Sequence, residues 1–345
     1  MAYLKTIKKA DFMSKSFNVA VVGATGAVGR EMLKTLEKRD FPVKELRLLA
    51  SSRSAGKTLP YFGKEHTIQE LTTESFKGID IALFSAGASR SREFADAAVK
   101  SGALVIDNSS AFRMVPDVPL VVPEVNPEDA FKHKGIIANP NCTTIIMLVA
   151  LKPLYDVSPI KRIIVSTYQS ASGAGAKGMQ ELEQQTADVL AGKPAVPQVF
   201  SFPYAFNLFS HNSTITENGY NEEEMKMVNE TRKIMHDADI QVCPTCVRVP
   251  VLRSHAESIQ IEQVRKISVE EARAALAKAP GVTIVDDRAA NHFPMPCESN
   301  DQYNVLVGRL RDDLSCPNGI ALFVCGDQLL KGAAWNAVQI AELFK

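Results

Sequence analysis

A chain of 345 residues with 39 Lys and Arg against 39 Asp and Glu carries no formal net charge, which excludes a protein-wide basic field for nucleic acid and leaves any charged ligand to local residues. At 46% hydrophobic and 23% charged residues, it is long enough for about two domains with real cores. No apolar stretch reaches the roughly eighteen residues that span a bilayer, because the run from Ile145 to Leu154 is broken at Lys152 and Pro153. Six cysteines without a secretory leader pattern point to free thiols in a reducing compartment, the cytoplasm by default. Residues 1–16, lysine-rich and apart from any periodic pattern, read as an extension outside the fold.

In chain order, Phe17 to Val22 is predicted as a strand and Ala27 to Lys38 as a helix. Between them Gly23-Ala24-Thr25-Gly26-Ala27-Val28-Gly29 has the spacing G-x-x-G-x-x-G. Glycines there permit a tight turn and let a pyrophosphate approach the helix N-terminus. A second strand, Leu46 to Ala50, runs into Ser51-Ser52-Arg53-Ser54-Ala55-Gly56-Lys57 instead of an acidic residue for ribose hydroxyls. Hydroxyls with an arginine and a lysine suit a 2′-phosphate, hence NADP. Strands at Ile79 to Phe84 and Ala103 to Ile106 flank a helix at Arg90 to Lys100, and the alternation predicts a doubly wound parallel sheet covered on both faces.

Asp107-Asn108-Ser109-Ser110-Ala111-Phe112-Arg113 follows a strand, so Arg113 sits where such a sheet offers side chains to a ligand crevice, and a guanidinium suits phosphate oxygens. Asn141-Cys142-Thr143-Thr144 lies between a strand end at Gly135 to Ala138 and an apolar helical run from Ile145 to Tyr155. It reads as a nucleophilic cysteine at a helix N-terminus, where free N–H groups and the helix dipole are expected to lower the thiol pKa. A thiol buried as a small hydrophobe leaves the same local signal.

From Ile160 the pattern changes. Long β-rich runs (Ile160 to Tyr168, Val242 to Val249, Ser258 to Val264, Val305 to Leu310, Ile320 to Val324) stand among helices at Lys177 to Leu190, Glu222 to Met235 and Val269 to Lys278. This predicts a second α+β domain on a mixed, largely antiparallel sheet. A final amphipathic helix, Gln328 to Phe344, is expected to return to the first domain. The division is 17–141 plus 328–345 for the dinucleotide, and 142–327 for catalysis and dimerisation. Tyr168-Gln169-Ser170-Ala171-Ser172-Gly173-Ala174-Gly175 offers an amide and small residues after a strand, and Glu223 and Lys226 share a helix face. In Arg248-Val249-Pro250-Val251-Leu252-Arg253-Ser254-His255, a histidine supplies a general acid or base, and spacing alone does not choose between Arg248 and Arg253.

Together, the Gly23 to Gly29 loop, Asp107 to Arg113, Asn139-Pro140-Asn141-Cys142-Thr143-Thr144, Gln169 to Gly175, Glu223-x-x-Lys226, and Arg248 with His255 resemble the aspartate-semialdehyde dehydrogenase family from about Asn18 to the C-terminus. The resemblance implies a Rossmann-like first domain and NADPH-dependent reductive dephosphorylation of L-4-aspartyl phosphate, on the way to lysine, threonine and methionine. It implies Cys142 as nucleophile through a thioester, His255 as proton shuttle and Gln169 as the group orienting substrate. Arg248 matches the clamp on the substrate α-carboxylate, Glu223 the partner of its α-amino group, and Arg113 with Lys226 the phosphate site. Asn141 or backbone N–H groups would support the oxyanion. Gly23, Thr25, Gly26, Ala27, Val28, Arg53, Ser54, Ser172, Gly173 and Gln328 match cofactor positions.

A homodimer or homotetramer is expected, with neither nucleic acid nor membrane as partner. N-acetyl-glutamyl-phosphate reductase shares the architecture, but its substrate lacks a free α-amine, and Asn141 with the Glu223/Lys226 pair sides with the aspartyl enzyme. A silent NADP-binding homologue would be expected to lack the thiol or the base. Cys243 and Cys246 lack a second close pair to complete a zinc site, and no metal is expected.

Overall fold

The computed structural model describes residues 16–345, so the expected extension lies outside the described residues apart from Ser16. The first half forms β1 (Phe17–Val22), α1 (Ala27–Lys38), β2 (Val43–Ala50), β3 (Thr58–Tyr61), β4 (Lys64–Glu70), β5 (Ile81–Phe84), α2 (Ala88–Lys100), β6 (Leu104–Asp107) and β7 (Ile136–Ala138). These strands make one sheet in the order β3-β4-β2-β1-β5-β6-β7, parallel except where β3 pairs with β4. Along β1 the side chains alternate. Phe17, Val19 and Val21 pack with α1 residues, while Ala20 and Val22 pack with α2 residues. Cover on both faces is why the central strands read as unbroken apolar runs. Since β2 lies on one side of β1 and β5 on the other, a crevice opens at their carboxyl ends, the usual ligand position in such sheets. The β3–β4 pair had no counterpart in the sequence reading, because β4 buries only Ile68 and so lacks an apolar signal.

Helix α3 (Cys142–Val157) joins the halves and is buried on every side from Ile145 to Leu151; Pro153 lies within it without ending it. The second half continues with β8 (Ile160–Gln169), α4 (Ala176–Leu190), β9 (Phe209–Ser210), α5 (Glu222–Met235), β10 (Gln241–Arg248), β11 (His255–Gln263), α6 (Val269–Leu276), β12 (Val282–Ile284), α7 (Pro296–Ser299), β13 (Val305–Asp312) and β14 (Gly319–Gly326). The second sheet runs β12-β13-β14-β11-β8-β10-β9. Its β8–β10 and β12–β13 pairs are parallel and the others antiparallel. Residues of α3, α5 and α6 share one core with its inner face, while Ile164 and Tyr168 on the outer face are exposed.

The C-terminal segment departs from the expected single amphipathic helix. It forms a π-helical turn at Leu330–Ala334 followed by α8 (Trp335–Glu342), and both are buried almost throughout. One side packs with β1 and α1 residues. The polar residues that suggest a solvated face are buried partners instead: Lys331 Nζ contacts Glu124, Asn336 and Gln339. Asn336 in turn donates to Asn139 at 2.6 Å, two residues before the N-cap of α3.

The sheet registers assemble the site. Gln169 at the end of β8 stands beside Arg248 at the end of β10, and β11 runs antiparallel to β8, bringing its first residue, His255, to the same edge. His255 is also paired with Gly326 at the end of β14. A side chain at Gly326 would collide with Ile146, so the glycine lets α3 lie close against this edge.

Candidate active site

Cys142 is the first residue of α3, and Asn141 caps the helix. Asn141 Oδ1 accepts from the N–H groups of Thr143 (3.1 Å) and Thr144 (3.4 Å), and its Nδ2 donates to Glu223 Oε1 at 2.9 Å. Both ends of this amide are therefore committed. Gly332 in the π-helical turn packs directly on Cys142, since a β-carbon there would lie 2.8 Å from Cys142 Cβ. The expectation of a lowered thiol pKa is corrected. Burial pushes the Cys142 thiol up to about 12, with help from the Glu223 carboxylate, against the opposing pull of Arg113 and Arg248. A helix terminus contributes about 0.3–1 kcal/mol at exposed sites and at most about 2 in partly buried geometries, which desolvation of an anion readily exceeds.

Four residues share one side of α5 at helical spacing, Glu223, Lys226, Glu230 and Lys233, and the first two line the cavity at Cys142. The pair Glu223–Lys226, which in isolation looks like a solvated ion pair, lies in the cavity wall with Nζ 2.9 Å from Oε2. Glu223 Oε1 also accepts from Gln169 Nε2 at 3.2 Å. Burial opposes its ionisation, but Lys226, His211 and these hydrogen bonds hold the carboxyl well below the usual carboxylate range. Arg113 is buried and fixed at three nitrogens, donating to Asn139 O (3.0 Å), Asn108 O (3.1 Å) and Glu230 Oε1 (3.1 Å). Lys233 donates to the carbonyls of Arg113, Val115 and Val118, clamping the loop that carries Arg113.

The choice between arginines is made by tertiary contacts. Arg248 lines the cavity, donates from Nη1 to Ser170 O at 2.9 Å, and stacks over Phe200 with its guanidinium carbon 5.6 Å from the ring centre. Arg253 is engaged elsewhere by Asp327 (2.8 Å) and Asp301 (3.1 Å). His255 is fully buried and does not line the cavity; it lies behind Gly173, where a β-carbon would be 3.3 Å from its Nε2 and 2.9 Å from Arg248 Nη1. Ser170 N–H donates to His255 Nδ1 at 3.0 Å, so the neutral ring carries its proton on Nε2, which has no partner among the described residues. Burial, with Arg248 beside it, lowers the His255 pKa to about 3.

The predicted dinucleotide positions fall in two groups. Val28, Ser172, Gly173 and Gln328 line the cavity, and the Gln328 amide bridges Ser254 N–H and Ser172 Oγ. Gly23, Thr25, Gly26 and Ala27 lie at the crevice between β1 and β5. Gly23 has φ +86° and a β-carbon on it would meet Ser85 O at 2.5 Å, while Gly26 starts α1 without a side-chain cap. This bare helix start in a cradle that admits no side chain fits a pyrophosphate. Arg53 and Ser54 stand after β2 on a 3-10 turn outside the cavity wall, and Arg53 is exposed with no ion pair among the described residues. Sequence reasoning missed Glu230, Lys233, His211 and Gly332. Only the α5 spacing carried a signal for the first two.

The cavity holding Cys142, Arg113, Lys226, Glu223 and Arg248 measures about 320 Å³. A larger concavity of about 880 Å³ lies on the outer face of the second sheet, around Ile164, Gln260 and Arg311, and holds none of these residues. Cys243 is exposed and Cys246 buried on β10; three residues apart, they face opposite sides of a strand and cannot share an ion.

The family described as semialdehyde dehydrogenase, NAD binding domain, matches residues 18–133, and the one described as semialdehyde dehydrogenase, dimerisation domain, matches residues 151–331. A Synechocystis sp. protein named aspartate-semialdehyde dehydrogenase is 58% identical over 331 residues, covering 96% of this chain and 98% of its own. The crystal structure of aspartate semialdehyde dehydrogenase II complexed with ASA from Vibrio cholerae superposes with a TM-score of 0.92 at 49% identity, covering 96% of this chain and 98% of that one. The structure of aspartate semialdehyde dehydrogenase with NADP from Candida albicans matches at a TM-score of 0.74 and 25% identity, covering 96% and 98%.

Proposed function

The chain belongs to the aspartate-semialdehyde dehydrogenase family of oxidoreductases, and we propose that Cys142 is the nucleophile of its reaction. That reaction is the NADPH-dependent reductive dephosphorylation of L-4-aspartyl phosphate to L-aspartate 4-semialdehyde and phosphate, in amino-acid biosynthesis. The Cys142 sulfur attacks the acyl carbon, the bond to the phosphate oxygen breaks, and a thioester remains. Bound NADPH supplies the hydride that converts the thioester to the aldehyde, with release of the thiol. Because burial keeps both the thiol and the His255 imidazole neutral, the thiol proton passes to the departing phosphate oxygen as the carbon–sulfur bond forms. His255, whose protonated Nε2 lies behind the cavity-lining Gly173, is assigned as the proton shuttle, reaching the substrate oxygen past a position that carries no side chain.

Arg248 clamps the α-carboxylate, Glu223 receives the α-ammonium group, and Arg113 with Lys226 offsets the phosphate charge. Gln169 orients the substrate. Oxyanion support is assigned to the Cys142 backbone N–H, since the Asn141 amide engages Glu223 and the Thr143 and Thr144 N–H groups. The observation that carries this reading is the convergence of one thiol, three cations and one ionised carboxylate in a single cavity. That carboxylate also favours a substrate with a free amine over an N-acetylated one. Residues 17–141 with 328–345 are assigned to NADP and residues 142–327 to catalysis and subunit pairing. The outer face of the second sheet, with Ile164 and Tyr168 exposed, is assigned to a homodimer contact. No helix among the described residues is long and apolar enough to cross a membrane, and a cytoplasmic location is proposed.

The test is nicotinamide reduction followed by absorbance with aspartate semialdehyde, with and without phosphate, comparing NADP with NAD. Phosphate-dependent reduction of NADP supports the reading, and Arg53→Ala should narrow the preference for NADP over NAD. Reduction with N-acetylglutamate semialdehyde instead would reverse the substrate assignment.

A further inference from the structure

His211 follows β9, whose pairing with the end of β10 is extended by His211 N–H donating to Cys246 O at 2.8 Å. Its ring enters the cavity, where Nε2 lies 2.8 Å from Arg248 Nη2. A guanidinium can only donate, so Nε2 is the acceptor and the proton of the neutral ring sits on Nδ1. That nitrogen faces Ser213 Oγ at 3.2 Å, and the same hydroxyl accepts the N–H of Glu223 at 3.1 Å. His211 thus connects the first turn of α5, which carries the amine partner, to the arginine of the carboxylate site.

Arg248 is held from two directions, by Ser170 O on Nη1 and by His211 on Nη2, while its buried Nε has no partner among the described residues. The charged and titratable groups acting on His211 are Arg248 on β10, Glu223 and Lys226 on α5, and His255 on β11. Burial lowers the His211 pKa to about 4, with Arg248 and Lys226 opposing protonation against the pull of Glu223. A neutral ring is what the arrangement requires, since an imidazolium would have no lone pair for Nη2 and would repel it.

We propose that His211 is a positioning residue for substrate recognition: its Nε2 lone pair holds the Arg248 guanidinium so that the remaining N–H groups of the fork meet the substrate carboxylate. The inference rests on the assignment of Arg248 as the carboxylate clamp. A guanidinium fixed at two of its nitrogens loses less side-chain freedom when the carboxylate arrives, so the benefit falls on binding.

The experiment measures kcat and KM for aspartate semialdehyde, phosphate and NADP in His211→Phe, His211→Gln and Arg248→Ala. Glutamine can place an oxygen acceptor near the Nε2 position, whereas phenylalanine keeps the ring and removes the acceptor. Loss of one orienting hydrogen bond should raise the semialdehyde KM of His211→Phe about tenfold. Its kcat and phosphate KM should change less than about threefold, and His211→Gln should recover most of the semialdehyde KM. An unchanged semialdehyde KM in His211→Phe, with a large rise in Arg248→Ala, overturns the role of His211 alone. So does an equal rise in the phosphate KM, or a glutamine variant as impaired as the phenylalanine one. No rise in Arg248→Ala removes the carboxylate clamp itself.

Discussion

Glu230 and Arg113 form a buried ion pair, with Oε1 3.1 Å from Nη1. The other oxygen of Glu230 accepts the N–H of Asn141 at 2.6 Å, so one carboxylate ties Arg113 to the residue preceding Cys142. Burial raises the Glu230 pKa even against Arg113 and the Asn141 N–H. Removing one partner strands a buried charge, so Glu230→Ala should cost about 3–5 kcal/mol in urea unfolding. The phosphate KM should rise as Arg113 loses its orientation. Glu230→Gln keeps an acceptor for Asn141 and should lose less stability. A Glu230→Ala protein with unaltered unfolding midpoint and phosphate KM would show that the pair does neither job.

Cys142→Ala should abolish phosphate-dependent NADP reduction while retaining NADPH binding, followed by nucleotide fluorescence. Near wild-type turnover in this variant would remove Cys142 from the reaction.

Gly332→Ala places a methyl group 2.8 Å from Cys142 Cβ, closer than side-chain carbons approach. The thiol must shift, and a displacement near 1 Å at a reacting atom costs about a hundredfold in rate. Turnover should fall toward that extent while the cofactor Kd changes much less, because the shortest clash is with Cys142 and the one with Gln328 is milder, at 3.2 Å. Equal losses in both would mean the C-terminal segment as a whole had moved.

Glu257 is fully buried on β11, with neither carboxyl oxygen partnered among the described residues, and burial raises its pKa well above the ordinary value. The folded protein therefore favours the neutral acid. Ionisation carries no penalty below the unfolded carboxyl pKa, and stability is lost as pH rises from there toward the folded value. Glu257→Gln, neutral at every pH, should match wild type near pH 4 and melt higher by roughly 3 °C or more at pH 8. A constant difference between the two melting curves across this range would exclude titration of Glu257 as its cause.

Much of this molecule is legible from near neighbours along the chain. The turn at Gly23, the strand Phe17–Val22, and the start of α3 at Cys142 all depend on residues within one or two turns, because φ/ψ preferences, side-chain alternation and helix capping act over that distance. Reactive side-chain types at strand and helix ends were readable for the same reason, and Arg113, Cys142, Gln169, Glu223, Lys226 and Arg248 do line one cavity.

Relations between distant residues were not readable. Whether Arg248 or Arg253 enters the cavity is decided by Asp301 and Asp327 capturing the latter. His211 and Glu230 gain their places only when β9 and α5 pack against β10 and α3. The sign of the Cys142 shift followed the same rule: the helix start is local, but the burial that overrides it is assembled by residues such as Glu223 and Gly332, far along the chain. Backbone conformation is chosen largely by short-range sterics and hydrogen bonding, whereas desolvation and ion pairing depend on which atoms surround a group after the sheets and helices have packed.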